Sequence, residues 1–225
     1  MTGADQQSAK QSRGIKLTVL ALAVFIAIIV AGFVHRISLP RILTATEMQI
    51  NGLYVFETPR DFGEINLVDH RGKAFTAARL EGGWTLIFFG FTFCPDVCPT
   101  TMSFLNEFVG QLEGTEVEDT AVVMVSVDPA RDTVAQLADY VPFFNQEFIG
   151  VTGEFLDIHR FATALNTPFR KVAGQGGDYQ VDHSANVVLI NPRGDYHGFF
   201  KAPLDMAKMK LTYRSARAMW DRQQD

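Results

Sequence analysis

A run of apolar and aromatic residues, 84–91, constrains the fold more than any other segment of this chain. It has the length of a β-strand and is apolar at nearly every position, as a central strand covered on both faces requires. The only two cysteines in the sequence, Cys94 and Cys98, follow it, and Pro95 and Pro99 stand beside them. We therefore predict a buried strand that ends in a turn carrying two thiols.

Strand and helix patterns alternate along the chain. Alternation of this kind implies a partly parallel sheet with helices on both faces. We predict an α/β, thioredoxin-like fold, a central mixed sheet flanked by helices, with the dithiol between the first central strand and its helix. The predicted elements are an added N-terminal β-hairpin at 62–76, helices at 100–112, 133–144 and 154–165, strands at 121–127 and 148–151, a second hairpin with strands at 179–182 and 186–190 running on through 200, and a closing helix at 203–222.

Residues 17–34 form an uncharged stretch long enough to cross a bilayer. At about 1.5 Å of rise per residue, the stretch reaches roughly 27 Å. Lys10, Arg13 and Lys16 precede it and favour a cytoplasmic N-terminus. The rival interpretation is a cleaved signal peptide, but the apolar core is long for one. We predict a cytoplasmic N-terminus at 1–16, one transmembrane helix at 17–34, a juxtamembrane linker at 35–58 and an exported domain at 59–225.

The exported part of the chain is acidic. Residues 1–46 contain five basic residues and one acid, which leaves 15 basic and 24 acidic residues beyond them and a net charge of −9. Nucleic acid binding requires a cationic surface, so this composition argues against a nucleic acid partner. A cationic protein or a metal ion fits the charge better.

The spacing of the cysteines favours a chemical role over a structural one. An exported pair of cysteines forms a structural disulfide by default. A bridge across three residues, however, closes a very small loop and constrains the unfolded chain little. We place Cys94 on the loop and Cys98 at the start of the helix, with Pro99 at the first helical position. The dipole of a helix favours a thiolate at its N-terminus. The pair then suits either disulfide exchange or a soft metal ion.

A metal site built on two thiolates calls for a third ligand, and the histidines are the candidates. Their sequence contexts place His70 in a hairpin turn, His159 on a helix surface and His197 on an exposed strand. His183 lies between a glycine-rich turn at 174–178 and a predicted buried strand. The fifth histidine, His35, adjoins the apolar stretch and is interpreted as an interfacial residue.

Three sequence blocks occur in a fixed order: F-G-F-T-F-C-P-D-V-C-P at 89–99, V-S-V-D-P-A-R-D-T at 125–133, and Y-Q-V-D-H-S at 179–184. In order and spacing they resemble the Sco/SenC family of membrane-anchored copper proteins, and the resemblance covers residues 50–222. It implies a thioredoxin-like domain that binds Cu(I) or Cu(II) through Cys94, Cys98 and His183.

The same resemblance implies a function, partners and a location. The family delivers copper to the binuclear copper centre of cytochrome c oxidase, or keeps the cysteines of that centre reduced. The expected partners are the oxidase subunit that carries this centre and other copper chaperones. The expected location is the inner membrane, with a single pass and the globular domain in the bacterial periplasm, because the short N-terminus lacks an Arg/Ser-rich presequence.

Four charged residues within these blocks are further candidates. Asp182 either orients the His183 imidazole or serves a turn. Asp96 either meets a partner or tunes the charge between the cysteines. Asp128 and Arg131 are interpreted as structural residues at a strand-to-helix corner.

Other functions of the dithiol stay open. The leading hypothesis is a metallochaperone with no catalytic residue beyond the redox dithiol. A thiol–disulfide oxidoreductase would need only Cys94 and Cys98, and a redox sensor is a further alternative. A thiol peroxidase is disfavoured, because such enzymes place threonine three residues before the reactive cysteine, where this chain has Phe91 or Pro95.

Overall fold

A computed structural model describes residues 3–38, 41–173 and 179–224, and the chain divides into two units after residue 42. The first unit contains helix α1, Gly3–Ser38. Within α1, the span Lys16–Val34 has a mean hydropathy of 3.0 and is long and apolar enough to cross a membrane. A signal sequence has the same properties, so the uncleaved anchor stays a prediction.

The second unit begins with two elements that the sequence analysis did not predict. Helix α2, Ala45–Ile50, starts at a capping box formed by Thr44 and Glu47. Strand β1, Leu53–Arg60, then pairs in antiparallel orientation with a strand at Tyr196–Phe200. The prediction of a linker is therefore wrong from residue 45 onward. The strand partner lies far away in sequence, so no local pattern reveals the pairing.

Further strands and helices follow β1 along the chain. The elements are β2 (Leu67–Asp69), β3 (Ala74–Phe75), a 3-10 turn (Ala77–Leu80), β4 (Trp84–Gly90), α3 (Val97–Gly110), α4 (Thr115–Glu118), β5 (Thr120–Ser126), α5 (Val134–Phe144), β6 (Ile149–Thr152), α6 (Phe155–Ala164), β7 (Arg170–Ala173), β8 (Tyr179–Asp182), β9 (Val187–Ile190), β10 (Tyr196–Phe200) and α7 (Met206–Gln224).

Eight strands form one mixed sheet in the described part of the chain, in the order β1-β10-β9-β4-β5-β6-β2-β3. Strands β4, β5 and β6 are parallel to one another, and the remaining pairs are antiparallel. Helices flank this sheet, and the thioredoxin-like fold with an added N-terminal hairpin is confirmed.

Strand β4 is the centre of the sheet and is buried at every residue, as its apolar run predicts. It pairs with β5 in parallel register from Trp84 opposite Thr120 to Gly90 opposite Ser126, and with β9 on its other side. Because β4 is hydrogen-bonded to a neighbouring strand on each side, its position is fixed, and so is the start of the cysteine loop that follows it. Strands β7 and β8 form a separate antiparallel ribbon. The predicted glycine-rich turn at 174–178 lies outside the described residues.

Two histidines are more buried than the sequence indicated. His70 lies in the turn after β2, as predicted, but its Nδ1 accepts a hydrogen bond of 2.9 Å from the Gly150 N–H and so ties the hairpin to β6. His197 was predicted to be exposed and is instead 5% exposed. It packs edge-on between Trp84 and Trp220, at ring distances of 5.1 and 5.8 Å. These two tryptophans belong to distant parts of the sequence.

The burial of His197 predicts a loss of stability in mild acid. Desolvation, with help from Arg193, lowers the pKa of His197 from 6.5 to about 4, and Asp195 opposes the shift. Between these two pH values the unfolded chain binds a proton that the folded chain does not. The stabilising contribution of neutral His197 is therefore fully present above pH 6.5 and is lost as the pH falls towards 4. At pH 5 this loss lowers the free energy of unfolding by about 2 kcal/mol. Urea unfolding at pH 7 and pH 5 measures the difference.

The matched variants are His197→Gln and His159→Gln. The first removes the buried imidazole and should flatten the pH dependence, whereas the second changes an exposed histidine and should leave the dependence intact. Equal pH dependence in the two variants would contradict this assignment.

Candidate metal centre

The two cysteines lie where β4 leads into α3, Cys94 on the connecting turn and Cys98 in the helix, and both are free thiols. Cys94 is partly exposed, and Cys98 is fully buried. Helix α3 begins at Val97, two residues earlier than the predicted first position at Pro99, so Cys98 lies within its first turn. The Cys98 N–H donates to the Cys94 sulfur over 3.4 Å. The turn therefore holds both sulfurs on one side, one of them accessible from solvent.

His183 lies on the loop between β8 and β9, and its ring faces the same sulfurs. Its Nε2 is 3.5 Å from the Cys98 sulfur. Its Nδ1 is 3.0 Å from the Ser184 carbonyl oxygen. Because a carbonyl only accepts hydrogen bonds, Nδ1 carries the ring proton and Nε2 presents its lone pair to the sulfurs. Phe88 and Phe91 hold the ring edge-on at 5.9 and 5.8 Å.

The three donor atoms of Cys94, Cys98 and His183 all lie within 4.8 Å of one another. Three ligands around one ion with bonds of about 2.1–2.3 Å stand about 4 Å apart, so the cluster fits a three-coordinate ion after small shifts. Thiolates and imidazole are soft to intermediate ligands and suit copper in either oxidation state. Among the described residues no other group of three such side chains converges in this way.

Burial keeps Cys98 and His183 uncharged in the absence of metal, although a helix N-terminus by itself favours a thiolate. Desolvation raises the pKa of the Cys98 thiol well above its usual range, and the Phe91 backbone only partly opposes this. Desolvation also lowers the pKa of His183, against the effects of the Ser184 carbonyl and Asp182. At neutral pH the Cys98 sulfur is thus a thiol and the imidazole is neutral. Metal binding must therefore release a proton, and acid should weaken it.

Gly90 leaves the space that the cluster occupies. A Cβ added at this position would lie 2.6 Å from the Phe88 ring and 3.1 Å from the Cys98 sulfur. Both neighbours are fully buried. Only glycine therefore fits between the end of β4 and the first turn of α3. No local sequence pattern singles out Gly90, because its importance follows from the packing of two elements.

Asp132 fixes the loop in front of the cysteines and was also missed. Its buried carboxylate accepts hydrogen bonds from the Thr92 N–H at 3.0 Å, the Thr92 hydroxyl at 2.6 Å and the Ser126 hydroxyl at 2.7 Å. The cap of α5 is Thr133, whose hydroxyl accepts from the Gln136 N–H. Asp132 stands beside Thr133, and a helix needs only one such cap residue, which is the sequence signal that could have indicated another role for Asp132.

Asp128 and Arg131 form the predicted corner and reach the cysteine loop as well. Asp128 is fully buried and accepts a hydrogen bond of 2.6 Å from the Tyr179 hydroxyl as well as one from Arg131. The Arg131 guanidinium lies 3.9 Å from the centre of the Tyr179 ring and 4.9 Å from that of Phe93. The corner after β5 thus contacts the residue that precedes Cys94.

The two remaining candidate acids lie outside the donor cluster. Asp182 is exposed and accepts a hydrogen bond of 3.2 Å from Arg170. The proposal that Asp182 orients the imidazole is wrong, because the His183 Nδ1 faces the Ser184 carbonyl instead. Asp96 is exposed at the start of α3, and its side chain makes no capping hydrogen bond.

The sequence matches the SCO1/SenC family model over residues 57–216. A "putative copper-binding protein" from Stutzerimonas stutzeri is 40% identical over 147 residues, which cover 65% of this chain and 72% of that protein. The human "Protein SCO2 homolog, mitochondrial" is 38% identical over 143 residues, covering 60% of this chain and 53% of that protein. The chain thus matches about half of the human relative.

Two solved structures share the fold at moderate identity. Arabidopsis thaliana ScoI with copper bound superposes with a TM-score of 0.64 at 33% identity, covering 71% of this chain and 98% of that one. Yeast Sco1 with copper bound gives a TM-score of 0.62 at 27% identity, covering 74% and 90%. Both of these structures contain copper.

Proposed function

Because this chain belongs to the SCO1/SenC family, we propose that it is a membrane-anchored copper chaperone. It would carry Cu(I) or Cu(II) on Cys94, Cys98 and His183 and assist assembly of the binuclear copper centre of cytochrome c oxidase. The observation that carries this proposal is the convergence of three donor atoms from two distant loops. A structural disulfide needs only the two cysteines, so it does not account for the position of the His183 imidazole beside them.

The burial of the three ligands suggests an order of transfer. Cys98 is fully buried, so it keeps hold of the metal, whereas Cys94 and His183 are both partly exposed. Cys94 is partly exposed, and an acceptor thiolate reaches the metal most easily from its side. One acceptor sulfur would bind the ion as Cys94 leaves it, so that coordination is never lost. Thiolate-to-thiolate exchange conserves charge and ligand type.

The proposed location follows from α1. The span Lys16–Val34 would anchor the chain in the inner membrane, with basic residues on the cytoplasmic side and the second unit in the periplasm. The copper-centre subunit of the oxidase and other copper chaperones are the proposed partners. The exported domain would begin near Leu43, where the second unit starts.

Copper titration tests the proposed function. Reduced full-length protein in detergent is titrated with Cu(I) in the presence of a competing chelator. We expect one copper per chain and release of protons on binding, since burial keeps the Cys98 sulfur protonated in the metal-free site. No binding above that of a Cys94→Ala, Cys98→Ala double variant would overturn the proposal.

A second candidate is a thiol–disulfide oxidoreductase that reduces the acceptor's cysteines. The accessible Cys94 beside a buried Cys98 favours it, because one sulfur attacks a disulfide and the second then resolves the mixed disulfide. The protein dithiol is oxidised as the acceptor disulfide is reduced. Reduction of a disulfide peptide at the same rate with and without His183 would support this candidate.

A further inference from the structure

A groove runs along α3 beside the donor cluster. Its walls are Val97, Thr100 and Phe104 of α3 on one side and Ala185, Pro203 and Leu204 on the other, and its volume is about 530 Å³. Val97 immediately precedes Cys98, and Ala185 stands two residues after His183. Whatever occupies the groove therefore lies next to the donor cluster.

The groove is apolar, and it carries one charge. Most of its lining is aliphatic or aromatic, and Val97 is 43% exposed. The one ionisable residue in its lining is Asp96, whose carboxylate has no ion-pair partner among the described residues. The chain beyond residue 46 also has a net charge of −9. An apolar side chain next to a cation complements this surface.

The length of the groove matches an extended segment. From Asp96 to Phe104, α3 rises about 12 Å, which is the reach of about four residues of extended chain. In such a chain, side chains two positions apart point the same way. A cysteine that reaches Cys94 therefore places the side chain two residues along within the groove.

We propose that this groove docks an extended, cysteine-containing segment of the copper acceptor, with an apolar side chain two residues from the cysteine in the groove and a lysine or arginine paired with Asp96. The inference rests on the proposed copper transfer, which needs an acceptor sulfur held close to Cys94. The groove then selects the acceptor, and the donor cluster selects the metal.

Binding of synthetic peptides tests the proposal without copper. The probes are fluorescein-labelled six-residue peptides that contain Lys-Gly-Cys-Gly-Leu, in which lysine, cysteine and leucine all face the same side of an extended chain, the same peptide with serine for leucine, and one with glutamate for lysine. Fluorescence anisotropy with the reduced, metal-free full-length protein measures the affinities. Burying one leucine side chain should tighten binding about tenfold over serine. The glutamate peptide should bind more weakly than the lysine peptide, and the difference should shrink at high salt.

A pair of variants on one helix gives the control. Thr100→Arg places a long cationic side chain in the groove, and Ser103→Arg adds the same charge at an exposed position of α3 that does not line it. Thr100→Arg should abolish the preference for leucine, whereas Ser103→Arg should keep it. Circular dichroism establishes that both variants fold.

Three results would overturn the groove proposal. The peptides could bind equally, the two arginine variants could behave alike, or sedimentation could show that the groove pairs two copies of this chain. Copper titration of the unmodified protein separates this proposal from the proposed function. If the unmodified protein binds one copper but shows no peptide preference, only the groove proposal is contradicted. If it shows the peptide preference but binds no copper, only the chaperone proposal is contradicted.

Discussion

Replacing His183 with alanine is expected to lower the affinity for Cu(I) by on the order of 100-fold or more. Even residues that only orient a metal ligand typically contribute 10- to 100-fold, so loss of the ligand itself should exceed that range. The imidazole also faces the Cys98 sulfur at 3.5 Å, and no other histidine lies in the cluster. Chelator competition on the reduced full-length protein gives the affinity. The affinity for Cu(II) should fall further than the affinity for Cu(I), because a nitrogen ligand stabilises Cu(II) more than Cu(I).

The control is His159→Ala, which removes an exposed histidine from α6. It should bind copper as the unmodified protein does. Unchanged affinity in His183→Ala would contradict the three-ligand site and leave a dithiol that works alone. The same variant also distinguishes the two candidate functions, because disulfide reduction by Cys94 and Cys98 does not need the imidazole.

Replacing Gly90 with alanine is expected to destabilise the protein by about 3 kcal/mol and to weaken copper binding. The added methyl group would stand 2.6 Å from the Phe88 ring and 3.1 Å from the Cys98 sulfur, and both are fully buried. Overpacking of this kind forces backbone or side-chain shifts that cost about 1–3 kcal/mol or more. Here, such a shift would move the Cys98 sulfur, which is a proposed copper ligand. Urea unfolding should therefore give a lower free energy of unfolding, and copper titration should give a lower affinity.

Gly110→Ala is the matched substitution. Gly110 ends α3, and a Cβ there would meet nothing within 4 Å. Alanine at this helical position should be neutral or stabilise by up to about 1 kcal/mol. If Gly90→Ala were as stable as Gly110→Ala, the close packing between β4 and α3 would not constrain the site.

Much of the fold could be predicted from local patterns. The apolar run at β4, the alternation of strands and helices and the amphipathic closing helix each have a period or length that indicates one element. The three residues of the donor cluster were also found in advance, but only His183 needed the family resemblance. Two cysteines that are the only ones in a chain and lie close together have few possible roles, so they can be identified as site residues from the sequence. A single histidine has many possible roles, so its sequence position alone does not identify it as a ligand.

The errors share one physical cause, which is pairing between distant segments. Strand β1 is stabilised by β10, and its own residues alternate too weakly to indicate a strand. His197 is buried by Trp84 and Trp220, which lie far apart in the sequence. Two of the three hydrogen bonds that Asp132 accepts come from Thr92, forty positions earlier in the chain.

The amino-acid sequence alone determined which groups are available: two thiols after a buried strand, one histidine before another, and an apolar span near the N-terminus. These follow from side-chain chemistry and local periodicity, which act over a few residues. The tertiary structure decided which groups meet. The approach of Nε2 to the sulfurs, the space left by Gly90 and the groove along α3 all depend on how β4 and β9 pair and how α3 packs on them. Because that pairing is set by burial across the whole sheet, no single segment encodes it.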